Sequence, residues 1–419
     1  MRGEPRLQMN NTPLGHLTIE DFLANYWQKK PVLIRQAFPD FQSPLEPDEL
    51  AGLSLQEGVL SRLILEKGGD YPWQLRSGPF TEADFDALGD HHWTVLVQEV
   101  DRHVPAVADL FDRFDFLPGW RKDDVMVSFA SHDAGVGAHI DSYDVFLLQG
   151  SGRRRWEIGA AQDSNGPTDG GIRASGSASG GPAQGKLSTA ESNYIEGLDV
   201  RILADFEPTE VFELEPGDML YLPPGVPHNG VALEPCLTYS FGFLAPTRSE
   251  MVEDFAGWYQ RRFGPTRYAD QDLIAVEQSG QITSDDLNRV LRLLQQAPLE
   301  RDLLAEWFGA FITRPQRGPA DTEEFEGSYQ EFLDDFADCQ HWRRHEGIRV
   351  AFWAGERLQL FVDGDQIEHE LSQDQLEFLT STREISFDQV SNQDELTKLL
   401  YSFTQRGWGY LLLEDNDNG

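Results

Sequence analysis

Between residues 124 and 246 the chain is a series of short apolar runs separated by turn residues. The runs cover 125–130, 144–149, 153–158, 211–214, 219–222 and 237–243. Each is four to seven residues long, a length that suits a strand and is too short for an ordinary helix. Many short strands at such spacing form a sandwich or a barrel. Gly150-Ser151-Gly152 is a turn signal, so 144–149 and 153–158 are expected to form a hairpin. One stretch interrupts the series. In 161–182, 12 of 22 residues are Gly, Ser or Pro, which predicts a flexible insertion of about 161–190 without a core of its own.

The flanks read differently. Thr18 followed by Asp21 and apolar residues at helical spacing predicts a capped helix over 18–27. Strands are expected at 31–35 and 93–98, and a helix over 101–114. Beyond Pro246 the pattern is helical, at 250–263 and 284–294, with Ser284 as the expected cap ahead of Asp285 and Asp286. A Pro/Gly-bearing linker, 314–320, precedes a last unit. That unit holds a hairpin-like pair, 348–353 and 358–362, late helices and a final strand at 408–413. Helices with a small sheet suggest a winged-helix-like module. At 419 residues the chain exceeds one ordinary domain.

Charge narrows the partners. Acids outnumber bases 71 to 34, for a formal net charge of −37. Such a chain repels nucleic-acid phosphates and attracts basic partners. Residues 321–419 carry 23 acids and seven bases, so no direct nucleic-acid binding is expected of the winged-helix-like module. The bases are six Lys and 28 Arg. Either a high-salt cytoplasm, where screening shortens to a few Å, or a generally solubilising surface accounts for this balance. Cys236 and Cys339 form no CxxC pair and are expected as buried thiols in a reducing compartment. No run approaches the ~18 apolar residues of a membrane helix, and the first residues lack the apolar segment of a secretory signal. The expectation is a cytoplasmic protein without membrane association.

One constellation carries chemistry. His139 and Asp141 stand at i and i+2 at the start of an apolar run, so on a strand both project to one face. His228 closes Glu215-Pro-Gly-Asp-Met-Leu-Tyr-Leu-Pro-Pro-Gly-Val-Pro-His228, a turn, a strand and a second turn that deliver a histidine to the next strand. Two His and one Asp on one face make the facial triad of non-haem Fe(II) oxygenases. It leaves three coordination positions, enough for a bidentate oxoacid and O₂. Other groupings are weaker. His341-Trp-Arg-Arg-His345 has no Glu between its histidines and reads as surface. His91 and His92 are adjacent and do not easily face one site. His132, seven residues before the triad, reads as a solvated loop residue in preference to a lining of the entrance. Gly150-Ser151-Gly152 lacks the strand-to-helix context of a phosphate cradle.

The stretch Gly135-Val-Gly-Ala-His-Ile-Asp-Ser-Tyr-Asp-Val-Phe-Leu-Leu-Gln-Gly-Ser-Gly-Arg-Arg-Arg-Trp156 closely resembles the JmjC-type cupin oxygenases, and among them the bacterial ribosomal oxygenases. The resemblance extends to Asp21-Phe-Leu-Ala-Asn-Tyr-Trp-Gln-Lys-Lys-Pro-Val-Leu33 and to 214–230, and so spans most of 18–246. It implies a mainly β fold with α elements: a double-stranded β-helix core, a helical dimerisation region and a C-terminal winged-helix-like domain. The corresponding domains are 1–248, 249–313 and 314–419.

The resemblance also implies Fe(II) held by His139, Asp141 and His228, with 2-oxoglutarate and O₂ as cosubstrates. The far carboxylate of 2-oxoglutarate needs a cation with a planar fork, and Arg154 matches the family position. Arg153 and Arg155 alternate to the other face and are expected in solvent or in ion pairs. Ser128, Thr238 and Ser240 are candidates for the same carboxylate, or else ordinary strand hydroxyls. Asp133, Tyr143 and Asp144 lie near the ligands in sequence, with Tyr143 on the ligand face and Asp144 opposite. The implied reaction is hydroxylation of an arginine in a basic large-subunit ribosomal protein, number sixteen, by a homodimer. The alternatives are a histidine hydroxylase of another ribosomal protein and a non-catalytic metal-binding cupin scaffold, which would have no need of Arg154.

Overall fold

Thr18 opens the first helix, α1 (Ile19–Asn25), by accepting a hydrogen bond from the Asp21 N–H at 3.1 Å. In the computed structural model, residues 12–66, 73–161, 194–195, 198, 201–273, 281–295, 300–315 and 324–412 are described. The insertion at 162–193 and most of the 314–320 linker lie outside them. The chain divides into two units, Met1–Ala245 and Pro246–Gly419.

In the first unit α1 is followed by β1 (Val32–Ile34), α2 (Pro47–Ser54), β2 (Ser61–Glu66), β3 (Trp73–Ser77), α3 (Glu82–Asp86) and β4 (Trp93–Val97). The expected helix over 101–114 resolves into one 3₁₀ turn, Val100–Arg102, and α4 (Pro105–Asp112). Pro105 takes the first helical position, where its missing N–H leaves no bond unmade. Then come β5 (Lys122–Ala130), β6 (His139–Ile140), β7 (Asp144–Ser151), β8 (Arg154–Gly159), β9 (Pro208–Leu214), β10 (Met219–Leu222), β11 (Pro227–Ala232) and β12 (Cys236–Phe243).

These strands form an eight-stranded sheet, β1-β10-β7-β12-β5-β4-β2-β3, and a four-stranded sheet, β6-β11-β8-β9. Every named pair is antiparallel. This is the double-stranded β-helix core expected from the sequence. The period of two assigns each residue to a face. Val125, Val127, Phe146, Leu148, Met219, Tyr221, Tyr239 and Phe241 pack with Phe22, Leu50, Val107 and Phe111 of the helices. Their strand neighbours Val145, Leu147, Leu220 and Leu222 pack instead with Trp156, Ile158 and Leu214 of the smaller sheet. Met126, Ser128, Thr238 and Ser240 share that inner face and line a cavity.

The expected hairpin is not formed. β7 pairs with β10 and β12 in the large sheet, whereas β8 pairs with β9 and β11 in the small one. Gly150-Ser151-Gly152 therefore carries the chain between sheets. Gly152 has φ +61, and a Cβ there would lie 2.3 Å from Pro235 O. The buried Gln149 side chain ties this crossing by donating to Ser151 O at 2.9 Å. Adjacent apolar runs joined by a glycine turn look alike in sequence whether they pair or diverge.

The second unit contains α5 (Arg248–Phe263), α6 (Ser284–Gln295), α7 (Arg301–Thr313), α8 (Tyr329–Cys339), β13 (His341–Arg344), β14 (Val350–Ala354), β15 (Leu358–Val362), β16 (Asp365–Ile367), α9 (Gln373–Ser381), β17 (Glu384–Ser386), α10 (Phe387–Val390), α11 (Asp394–Gln405) and β18 (Gly409–Leu411). Phe332, Phe336, Trp342, Leu376, Leu396 and Phe403 are at its core. Two expectations change here. Thr283, not Ser284, caps α6: its hydroxyl accepts from the Asp286 N–H, and the Asp286 carboxylate accepts the Thr283 N–H in return. The segment 341–345 is a strand and its turn rather than a surface motif. Arg343 is buried against Glu346 at 2.7 Å, and Arg344 donates to Leu379 O, while His341 stays exposed. Both cysteines are free; Cys236 is buried and Cys339 half-buried. Among the described residues no helix is long and apolar enough to cross a membrane.

Candidate active site

The register of β6 and β11 sets His139 directly opposite His228. β6 is only two residues long, and Asp141 follows it, fixed by the Gly225 N–H donating to its carbonyl at 2.9 Å. The three side chains converge. Asp141 Oδ2 lies 3.5 Å from His228 Nε2, and Asp141 Oδ1 lies 4.0 Å from His139 Nε2. The imidazole centroids are 4.2 Å apart. All three residues are buried.

Each histidine is oriented in the same way. His139 Nδ1 lies 2.9 Å from Gly137 O, and His228 Nδ1 lies 2.9 Å from Val226 O. A carbonyl there calls for a proton on Nδ1, which leaves the Nε2 lone pair pointing at the common centre. Burial, with His139 next to it, pushes the His228 pKa down to about 4. The ring is therefore neutral near pH 7, as a metal ligand must be. Two imidazoles and one carboxylate suit a first-row transition ion such as Fe(II), with coordination positions left open.

Across the cavity, β8 projects Arg154 inward. Its guanidinium is buried, and no carboxylate among the described residues pairs with it. Nη1 is 3.2 Å from Thr238 Oγ1 and 3.4 Å from Ser128 Oγ, and Nη2 donates to Gly230 O at 3.3 Å. Nε has no partner. Burial lowers the Arg154 pKa, but a guanidinium keeps its proton. A buried, fixed cation without an anion is a binding site for one. The residues present thus fit both a metal ion and an oxoacid with a distal carboxylate.

His139, Asp141, His228, Arg154, Ser128, Thr238, Ser240 and Tyr143 all line one cavity. Arg153 and Arg155 face away and pair with Glu234 and Glu157. Asp144 is turned out of the cavity. It is fully buried, and it accepts from Tyr221 at 2.6 Å and from Arg121 and Gln28 at 3.0 Å. Asp133 is not brought to the cavity. It stands half-exposed beside His132 and His91.

Three further residues complete the site without having been singled out by sequence. Trp156 lies under Arg154, with the guanidinium carbon 5.0 Å from the ring centroid, and its indole N–H is buried without a partner. Gly230 leaves room for both, since a Cβ there would lie 2.8 Å from Arg154 Nε and 2.7 Å from the Trp156 ring. Gln149 Oε1 takes the Thr238 hydroxyl at 3.4 Å. Trp156 shares parity with Arg154 on β8, a signal that was available. Nothing local marks Gly230.

Known proteins agree with this geometry. The JmjC domain family matches residues 109–251, and the ROXA-like winged helix matches 292–410. The ribosomal protein uL16 3-hydroxylase of Escherichia coli K12 is 34% identical over 351 residues, covering 83% of this chain and 85% of that protein. A probable ribosomal oxygenase of Haemophilus influenzae is 31% identical, covering 74% and 70% respectively. The structure of the E. coli ribosomal oxygenase YcfD with cobalt and 2-oxoglutarate superposes with a TM-score of 0.78 at 30% identity, covering 94% of this chain and 98% of that one. The chain belongs to the JmjC-type ribosomal oxygenases. It is a 2-oxoglutarate-dependent protein hydroxylase that works with Fe(II) and O₂.

Proposed function

We propose that the chain hydroxylates an arginine side chain of a large-subunit ribosomal protein, the counterpart of uL16. The buried, carboxylate-free Arg154 facing the His139–Asp141–His228 triad carries the reading. A scaffold has no use for a buried cation with no carboxylate partner among the described residues beside a metal site, whereas an oxoacid-dependent enzyme requires one. A ribosomal-protein substrate is supported by the named activity of the E. coli relative, a uL16 3-hydroxylase, and a basic side chain such as arginine by the chain's net charge of −37, which favours a basic client.

In this reading His139, Asp141 and His228 hold Fe(II), while Arg154, Ser128 and Thr238 hold the far carboxylate of 2-oxoglutarate, with Ser240 beside them. The metal with its cosubstrates supplies the oxidising power that inserts one oxygen atom into a substrate C–H bond as 2-oxoglutarate becomes succinate and CO₂. The protein's part is to position and to exclude water. The Arg154 fork would hold the far carboxylate of the oxoacid, in the cavity it shares with the triad. Leu96, Met126, Val136, Val145 and Leu147 form a dry wall around the reacting centre. Tyr143, which lines the same cavity as the ligands, is assigned in this reading to pack against the substrate side chain. No general base is needed, and the histidines and the carboxylate of the lining are the three metal-ligand candidates themselves.

The domain limits we assign are 1–248 for the oxygenase, 249–313 for a helical region and 314–419 for the winged helix. The helical region is read as a homodimer interface, because α6 exposes Leu287, Val290, Leu291 and Leu294. The reading carries with it a cytoplasmic site of action. Incubating the protein with Fe(II), 2-oxoglutarate and a peptide of the host's uL16 counterpart tests it. A +16 mass shift on arginine, absent with His228→Ala, is expected. Succinate without that shift would overturn the substrate and keep the enzyme class.

A further inference from the structure

His91, His132 and Asp133 lie outside the cavity and take no part in the reaction above. Their ligand atoms fall within 4.8 Å of one another. His132 Nδ1 is 2.9 Å and His91 Nδ1 is 3.9 Å from the same oxygen, Asp133 Oδ2. The two imidazole centroids are 5.0 Å apart. The backbone preorganises the group. His91 and His132 face each other across a β-bridge, and the His92 N–H donates to His132 O at 3.1 Å. Asp133 is held at φ +59, a conformation costly for most residues but tolerated by Asp. Its N–H is anchored on Ala232 O at 3.0 Å.

His132 Nδ1 is sealed from solvent and has no hydrogen-bond partner among the described residues, although Asp133 Oδ2 is so near. A proton on His132 Nδ1 or a bound cation relieves the contact of that nitrogen with the Asp133 carboxylate, and a cation in addition engages His91 Nδ1, 3.9 Å from the same oxygen. Two protonated imidazoles would repel each other. One divalent cation satisfies all three groups at once. A second carboxylate, Glu66, stands behind the cluster at 4.0 Å from His92 and is itself fixed by the Gly135 N–H at 2.9 Å.

We propose that His91, His132 and Asp133 form a second, solvent-facing site for a divalent transition-metal ion, separate from the iron centre. Mixed imidazole and carboxylate ligands select zinc, nickel, copper or iron over calcium or magnesium. With three protein ligands the site is open, and its ion is exchangeable. It joins the start of β4 to the segment 131–138, which carries Val136 into the cavity wall and ends at His139.

Equilibrium dialysis of the full chain against Zn(II) reads the stoichiometry. The wild type is expected to hold two equivalents, and the variants His91→Ala/His132→Ala and His139→Ala/His228→Ala one each. Asp133→Asn weakens the second equivalent by about tenfold or more, corresponding to loss of a charged ligand. One equivalent in the wild type, or two in His91→Ala/His132→Ala, overturns the proposal. Because the buried double variant can fail to fold, the wild type is also mapped by diethyl pyrocarbonate modification and mass spectrometry. The second equivalent of Zn(II) is expected to protect His91 and His132 but not His16, which is exposed elsewhere. Equal modification of all three with and without the second equivalent likewise overturns it.

Discussion

Replacing Arg154 by Met keeps a flexible side chain of similar volume and removes its charge. Two quantities should then move in opposite directions. A guanidinium fork on a carboxylate makes two charge-assisted hydrogen bonds, each contributing about 1.5–3 kcal/mol. At about 1.4 kcal/mol per tenfold, the affinity for 2-oxoglutarate should fall by at least about a hundredfold. The ligand-free fold should gain. Exchanging a buried charge for a hydrophobe of similar volume stabilises by about 1–4 kcal/mol. Here the gain belongs at the lower end, because Ser128 and Thr238 lose a donor and Gly230 O loses its 3.3 Å bond. Taking about 1–2 kcal/mol and about 2–4 °C per kcal/mol, Tm should rise by about 2–8 °C. Thermal scans of the Mn(II)-loaded protein, with and without 2-oxoglutarate, read both effects. The wild type at 100 Kd should gain about 2.7 kcal/mol from the ligand, and Arg154→Met no more than about 0.4 kcal/mol at the same concentration. A variant that melts lower than the wild type and still responds fully to 2-oxoglutarate would refute the reasoning.

The other expectations concern neighbouring groups. Gly230→Ala brings a methyl against Arg154 and Trp156 and should raise the KM for 2-oxoglutarate at a cost of about 1–3 kcal/mol, checked by steady-state kinetics. Asp144→Ala leaves Arg121 without its buried partner and should destabilise by about 3–5 kcal/mol, read from the urea midpoint. The metal-free protein should lose stability as pH falls from about 6.5 towards 4. Burial holds His228 at about 4 in the fold against about 6.5 unfolded, so in that window only the unfolded chain takes up the proton. The loss is on the order of 3 kcal/mol, and His228→Gln should flatten that part of the urea-midpoint profile.

Much of the site was legible because strand parity is a local property. His139 with Asp141, and Thr238 with Ser240, share a face at i and i+2, and the same period sets Arg154 apart from Arg153 and Arg155, while the family resemblance singled out Arg154 among them and Ser128 stood out as the one hydroxyl of its apolar run. The same rule separated Tyr143 from Asp144. The winged-helix-like unit was legible from capped helices and a hairpin, although Thr283 rather than Ser284 proved to be the cap. Either residue has the chemistry to cap, and only the backbone conformation decides which one stands outside the helix.

Pairing between strands was not legible. β7 and β8 were expected as a hairpin and lie in different sheets, since sequence records which residues favour extension and not which partner each strand meets. Asp133 was expected near the substrate and stands instead with His91, more than forty residues upstream, through a β-bridge that no local pattern announces. The sequence by itself determined the ligand types, their spacing and the face each occupies, because these depend on residue chemistry and backbone period. The tertiary structure alone decided that His139 sits opposite His228 and that Arg154 is buried with no anion. It also decided that Gly230 makes room for that arginine and Trp156. These are facts of register and desolvation, and both depend on contacts between segments far apart in the chain.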